Sequence, residues 1–145
     1  MEFERFVKKV MPHGVTLTVD GEKWLSSGNM FVKIPEWCGP MGVESKENNV
    51  LNCFLNESEW GENLADLDSA YLPHADSKAK DIVRIFSDGK NDVGITNEQF
   101  SLIEKHDMCL IASYVVNGDL EDVALLIGKY ADIDDFEPDA IILNV

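Results

Sequence analysis

The sequence predicts an α+β fold in which antiparallel sheets are combined with two or three helices. Near the N-terminus, and again beyond the middle of the chain, apolar residues recur with the period of an amphipathic helix. Between these segments, short apolar runs are separated by chain-reversing pairs such as Asp20-Gly21, which indicates antiparallel strands joined by tight turns. The helices and strands do not alternate regularly, and this argues against a parallel α/β fold.

The first predicted element is a short amphipathic helix. Its apolar stripe follows the i, i+3, i+4, i+7 spacing that places side chains on one face: Phe3, Phe6, Val7 and Val10. Its outer face carries three basic residues: Arg5, Lys8 and Lys9. Pro12 and Gly14 are expected to end the helix.

An antiparallel meander is predicted to follow this helix. Val15–Val19 alternates apolar residues with threonine, and Asp20-Gly21 predicts a hairpin turn. Trp24-Leu25 and Met30–Val32 are predicted as two further strands on either side of Ser27-Gly28.

Residues 36–75 are the least regular part of the chain. Gly39-Pro40 predicts a break, and the acidic segment Trp60–Asp68 is irregular. Surface loops with a helical turn are therefore expected in this region. The apolar run Val50–Leu55 is a candidate strand within this region.

A second helix is predicted from Ser77, because apolar residues again recur at helical spacing and Asp88-Gly89 suits its end. These apolar residues are Ala79, Ile82, Val83 and Phe86. A strand through Ile82–Phe86 is the alternative interpretation of the same residues. A strand at Val93–Ile95 and a third helix at Gln99–His106 are predicted next. Thr96 and Gln99 have the spacing of a capping box, which marks the start of that helix.

The chain ends with a second predicted meander. Met108–Val116 and Val123–Ile127 are predicted strands joined at Asn117-Gly118, a strong short hairpin signal. The acidic segment DIDDFEPD then precedes a last strand, Ala140–Val145. A helix followed by a meander thus occurs twice, which suggests one domain, 1–145, with two halves at about 1–75 and 76–145.

The chain is strongly acidic, with 27 Asp and Glu against 12 Lys and Arg and a formal net charge of −15. Residues 1–33 hold five bases and four acids, so the rest of the chain carries the whole excess. This charge disfavours non-specific attraction to nucleic acid or to an anionic membrane.

The cysteines and the N-terminus predict a cytoplasmic location. Three cysteines without a Cys-x-x-Cys pair argue against a disulfide framework and for a reducing compartment. The N-terminal segment is too charged for a signal peptide, and no apolar run is long enough for a membrane helix.

No pattern in the chain names a reaction. Glycine-rich phosphate loops and the G-x-S-x-G nucleophile elbow are absent, and the three histidines are scattered. The acidic segment DIDDFEPD lacks the order of an EF-hand loop, so exposed acids are favoured there over a calcium site. We therefore expect no cofactor, no metal and no catalytic residue, and an enzyme ranks last among the functions considered.

Two stretches resemble domains of bacterial and phage DNA sliding clamps. WLSSGNMFVKIP, Trp24–Pro35, resembles the strand, glycine turn and strand that follow the first helix of such a domain. VGITNEQFSLIEKHDMCLIAS, Val93–Ser113, resembles the strand–helix–strand unit that opens its second half. The endings EDVALLIG and AIILNV are similar to the final clamp strands, whereas Ser27-Gly28-Asn29 stands where the family often has Asp-Gly-His.

The resemblance implies a non-enzymatic, clamp-like protein of phage or prophage origin, associated with DNA replication or metabolism. Clamps are closed rings whose helices face double-stranded DNA, so the resemblance also implies a homo-oligomer. Basic residues on the first two helices would then face the phosphates: Arg5, Lys8, Lys9, Lys78 and Arg84.

The acidic composition supports an alternative function. A compact acidic domain suits a protein-binding module, such as an immunity protein, an inhibitor or a DNA mimic, acting on a basic partner. Its partner-binding carboxylates are predicted in and after the acidic segment: Asp132, Asp134, Asp135, Glu137 and Asp139.

Overall fold

The computed structural model of the chain describes residues 1–10, 14–38, 43–45, 49–129 and 135–145. In these ranges the strands are β1 (Val15–Val19), β2 (Glu22–Ser27), β3 (Met30–Lys33), β4 (Val43–Ser45), β5 (Glu59–Trp60), β6 (Asp66–Tyr71), β7 (Val83–Ser87), β8 (Asp92–Thr96), β9 (Met108–Val116), β10 (Asp119–Lys129) and β11 (Glu137–Leu143). The helices are α1 (Phe3–Val10), α2 (Asn49–Asn52), a π-helical turn (Cys53–Glu57), a 3-10 turn (Ala79–Asp81) and α3 (Asn97–Phe100). The predicted α+β class is confirmed, and no helix among the described residues is long and apolar enough to cross a membrane.

Most strands belong to one large sheet with the order β4-β1-β2-β3-β11-β10-β9-β5. Its six central strands form the two predicted meanders, β1-β2-β3 and β9-β10-β11, which are joined edge to edge by antiparallel pairing of β3 with β11. β4 pairs in parallel with β1, and the remaining pairs in the sheet are antiparallel. The doubled order of helix and meander is therefore present, with α1 before the first meander and α3 before the second.

Two of the predicted hairpin turns have the backbone conformation that their residues favour. Asp20 and Gly21 have φ of 53° and 78°, and Asn117 and Gly118 have φ of 53° and 84°. Positive φ at both central residues gives a turn whose twist matches that of the adjoining strands, and Asn, Asp and Gly tolerate it best. Both turns are confirmed.

Both faces of the large sheet are covered, so the fold has three layers. On one face, which we call the helix face, the core includes residues of the sheet β6-β7-β8 (Phe86, Val93 and Ile95) together with Phe6 of α1 and Leu102. On the opposite face, Leu51 of α2, Phe54 of the π-helical turn and Phe136 pack against the sheet. Consecutive residues such as Leu125 and Leu126 enter opposite cores, as expected for a strand buried on both sides.

Two predictions for residues 36–75 are wrong. The predicted strand Val50–Leu55 is helical, since it spans α2 and the start of the π-helical turn. Its apolar residues still enter the core, because Leu51 and Phe54 lie on one side of a helix and are almost fully buried. The region also contains β5 and β6 and is not merely surface loop, while Gly39-Pro40, like Pro12, lies outside the described residues.

The helix predicted from Ser77 is wrong, and the alternative strand interpretation is confirmed. β7 is the central strand of the small sheet, with β6 on one side and β8 on the other. Because β7 forms backbone hydrogen bonds with a strand on each side, these residues adopt the extended conformation of a strand. The buried residues Val83 and Phe86 fit a helical spacing by coincidence.

The third helix is shorter than predicted. The capping box at its start is confirmed, since Gln99 N donates to Thr96 Oγ1 at 3.1 Å and Thr96 N donates to Gln99 Oε1 at 2.9 Å. The helix ends at Phe100, and Glu104 N donates instead to the Asp107 carboxylate at 2.8 Å. The Asp107 side chain therefore stabilises a non-helical turn at the position where the apolar spacing predicts that the helix continues.

Candidate functional site

Helices α1 and α3, which precede the two meanders, lie beside each other on the helix face. Glu2 N donates to Leu102 O at 3.0 Å, and the Arg5 guanidinium donates to Ser101 O at 3.1 Å. Phe6 of α1 and Leu102, which follows α3, enter the same core. The structure therefore brings together the helices that precede the two meanders.

The predicted basic face of α1 is only partly available to a ligand. The Arg5 side chain is half-exposed, but besides Ser101 it has a carboxylate oxygen of Glu2 at 3.5 Å. Lys8 is exposed, and the side chain of Lys9 lies outside the described residues. Glu4 lies on the same short helix, so its local charge is mixed.

Lys78 and Arg84 do not share a second basic helix, and this part of the prediction is corrected. Arg84 lies on β7, where its Nε and Nη2 donate to Asn97 Oδ1 at 3.3 and 3.0 Å. Its guanidinium also lies over the ring of Phe100. Arg84 is therefore engaged in holding α3, whereas Lys78 is exposed beside the 3-10 turn, where its N–H donates to Asp81.

The predicted acidic partner site is not one exposed face. Asp135 and Glu137 are exposed, and Asp132 and Asp134 lie outside the described residues. Asp139 is half-buried at an irregularity of β11, where the register with β10 shifts. Burial raises the pKa of Asp139, although the charges of nearby cations, Lys33 first among them, oppose that effect.

A polar cleft of about 560 Å³ lies next to Glu137. Lys33 lines it and forms an ion pair with Glu22, with Nζ 2.6 Å from a carboxylate oxygen. Cys38 is a further lining residue. The Lys33 ammonium also lies 5.5 Å from the centre of the Trp24 ring, so this cation already has two partners. The arrangement offers a charged recess.

Two of the three thiols, those of Cys53 and Cys109, are not activated for nucleophilic chemistry. Burial raises the pKa of Cys109 to about 12, and the negative charge of Asp107 contributes to the rise. Partial burial and a hydrogen bond to Glu57 raise the pKa of Cys53. A thiol is reactive as its thiolate, so neither residue is suited to catalysis near neutral pH.

One group of side chains among the described residues has the composition of a metal site. The ligand atoms of Glu104, His106 and Asp107 lie within 4.8 Å of one another. The ammonium of Met1 forms ion pairs with both carboxylates, at 3.1 Å from Glu104 and with Asp107 as its closer partner. Because that ammonium already neutralises part of their charge, a metal ion is not required to explain the cluster.

The sequence predicts the hairpin at Asn117-Gly118 but not its projection from the surface of the protein. The hairpin arm, as we call it, comprises Tyr114–Asp122, the ends of β9 and β10 with their turn. β11 pairs with β10 only from Ala124 onward, so the arm extends past the sheet. Val115, Val116 and Leu120 on the arm are 39%, 36% and 56% exposed, which is high for aliphatic side chains in a hairpin.

The surroundings of the hairpin arm are acidic. Residues 50–73 and 107–128 contain no Lys, Arg or His, and the two stretches meet where β5 pairs with β9. The pKa of Tyr114, at the base of the arm, is raised. The largest cause is the electrostatic effect of Cys53, followed by burial and by the negative charge of Glu57. The absence of bases is visible in the sequence, but the exposure of Val115 and Leu120 is not, since alternating apolar residues in a strand usually indicate a core face.

No protein-family model matches the chain, and neither the curated proteins nor the solved structures contain a match to it.

Proposed function

We propose that the chain is a non-enzymatic, clamp-like protein associated with DNA replication or metabolism. The observation that carries this proposal is the doubled topology, in which each meander of one sheet is preceded by a helix. The two helices lie beside each other on the same face of that sheet. A ring that encloses DNA requires such a face, with helices on the inside and the edges of the sheet free to meet neighbouring copies.

The charge of the helix face limits how DNA would be held. Arg5 and Lys8 are the bases of α1 with described side chains, and Lys78 lies exposed near α3. Carboxylates are interspersed among them, so tight non-specific binding is not expected. A topological association, in which a closed ring encircles the duplex, needs only weak contacts with the phosphates.

The first experiment is a measurement of solution mass by light scattering behind a sizing column at moderate salt. A stable ring-sized oligomer supports the proposal, and a monomer contradicts it. If the oligomer forms, retention on closed circular DNA is compared with retention on linear DNA, from whose ends a ring can slide. Replacing Arg5, Lys8 and Lys9 together with Ala is expected to abolish DNA association, with Lys23→Ala as a control on an exposed base of β2.

A second candidate function, an acidic protein-binding module, is favoured by a different observation. The two stretches without bases, residues 50–73 and 107–128, adjoin in the large sheet and bring together Glu57, Glu59 and the acids of the hairpin arm. Negative charge concentrated on one side of a domain steers association with a basic partner. This function predicts a monomer or dimer that binds a basic protein with an affinity that falls steeply as salt is raised.

A further inference from the structure

We propose that the hairpin arm is a docking surface for an extended, basic segment of a partner protein, which adds as a strand beside Val115 and Val116. This inference deepens the second candidate function, because it names the surface and the chemistry of the partner. It does not depend on the clamp-like proposal.

The outer edge of β9 is available for pairing beyond Tyr114, whose side chain interacts with Cys53 of the π-helical turn. β5 pairs with β9 only at Ser113 and Ala112, and in the part of the chain that the structure describes no strand continues this pairing alongside Tyr114–Val116. Backbone N–H and C=O groups along an open strand edge can pair with an added strand. Because the chain before β5 forms the π-helical turn, the added strand would lie beyond that turn, beside Val115 and Val116.

The apolar residues of the arm provide contacts for alternate side chains of such a segment. Val115 lies directly opposite Leu120 in the register of the hairpin, so the two exposed side chains share one face of the ribbon. Val116 lies opposite Asp119, on the other face. Because successive residues of a strand point to opposite faces, an added strand could cover this apolar pair with every second side chain.

The charge of the arm selects a basic occupant. Its polar residues after the turn are acidic and exposed: Asp119, Glu121 and Asp122. Ser113 pairs with Glu59, and Ser113 and Glu59 both line a neighbouring cleft with Glu62 and Asp88, in which Lys90 is the single base. A second copy of this chain would bring the same acids against them, and like charges in contact disfavour that pairing. Lys and Arg at alternate positions of the segment would form ion pairs with these carboxylates.

The experiment uses a yeast-displayed library of random ten-residue peptides, selected for binding to the full chain at low salt. We expect the enriched peptides to alternate Lys or Arg with apolar residues. Individual enriched peptides are then synthesised and titrated by fluorescence anisotropy. The variant Asp119→Asn/Glu121→Gln/Asp122→Asn should bind them about tenfold more weakly, since three exposed charge pairs are lost. Leu120→Ser should weaken binding through loss of apolar contact, with a smaller change in salt dependence.

A matched control changes the same number of charges on other elements. Glu36→Gln/Asp76→Asn/Asp92→Asn neutralises three exposed carboxylates outside the arm and outside residues 50–73, and should bind the peptides within about twofold of the natural chain. Circular dichroism of each variant verifies that the fold is retained.

The outcomes separate failure of this inference from failure of the function on which it rests. Basic peptides that bind the arm variants and the natural chain equally well would place the docking surface elsewhere, although an acidic binding module would survive. Enrichment of neutral or acidic peptides, or no enrichment, would overturn both. If sedimentation shows a dimer that Leu120→Ser dissociates, the arm belongs to an interface between copies and the inference is wrong.

Discussion

The guanidinium of Arg84 lies over the ring of Phe100, with Cζ 4.6 Å from the ring centre, while two of its nitrogens donate to Asn97. One side chain of the small sheet therefore contacts both ends of the four-residue helix α3. A helix this short has little stability of its own, so its position depends on such tertiary contacts.

We expect Arg84→Ala to lower the free energy of unfolding by about 1–3 kcal/mol, through loss of the cation–π contact and of two hydrogen bonds. Arg84→Lys should restore little of the lost stability, since an ammonium cannot reproduce the forked hydrogen-bonding geometry of the guanidinium. Urea unfolding measures both changes. Lys78→Ala, at an exposed base nearby, is the control and should stay within about 0.5 kcal/mol of the natural chain. If Arg84→Ala left the stability unchanged, the structural role of Arg84 would be wrong, and the residue would again be a candidate for binding phosphate.

Gly128 is expected to be the least replaceable glycine among those whose surroundings are described. A Cβ atom there would lie 2.2 Å from the carbonyl oxygen of Glu137, which belongs to the backbone of the neighbouring strand. Since neither strand can move without breaking the sheet, Gly128→Ala should cost about 3 kcal/mol or more. Gly21→Ala meets no atom within 4 Å and should cost only about 1 kcal/mol through its positive φ of 78°. Equal losses in thermal or urea unfolding would contradict this ranking.

Asp139 is expected to make stability depend on pH. Burial raises the pKa of Asp139 in the folded chain, because it disfavours the charged carboxylate. The stability that the protonated side chain contributes is therefore complete below the ordinary carboxyl pKa and is lost as pH rises through the raised pKa. Asp139→Asn should therefore be more stable than the natural chain at neutral pH, with a difference that shrinks toward about pH 3. Urea unfolding between pH 3 and 7 tests this, and Asp135→Asn controls for removal of one exposed charge. A difference that grows on acidification would contradict it.

Cys109 should be the last thiol to react in the folded chain. Its pKa of about 12 leaves roughly one thiol in ten thousand ionised at pH 8, and its side chain is buried in the core. Iodoacetamide labelling followed by peptide mass spectrometry should show Cys38 and Cys53, both partly exposed, modified first. In urea the three thiols should react at similar rates. Early labelling of Cys109 without urea would mean that the end of β9 opens readily.

Local signals in the sequence predict the parts of the fold that short segments determine. The turn at Asn117-Gly118 requires positive φ at both residues, and the capping box at Thr96 and Gln99 satisfies its own backbone groups. Neither depends on distant parts of the chain. For the same reason the strand Met108–Val116 is predicted with the bounds that the structure has.

The wrong predictions concern residues whose partners are distant in the sequence. Val83 and Phe86 have a spacing that suits either a helix or a strand, and only pairing with β6 and β8 distinguishes the two. The role of Arg84 depends on Asn97 and Phe100, which approach it only when the small sheet has formed. Likewise, Leu120 has the pattern of a core residue, and its exposure follows from β11 ending short of it.

The joining of β3 to β11 has a consequence for how the chain folds as it is synthesised. Phe31 pairs with Ile141, more than one hundred residues later, so the first meander lacks its neighbouring strand until β11 has emerged from the ribosome. Contacts so distant in sequence close slowly, because the entropy of a long loop is lost before the contact forms. During that interval the edge of β3 that later pairs with β11 is open, and we expect the nascent chain to be more prone to aggregation then than after β11 has paired.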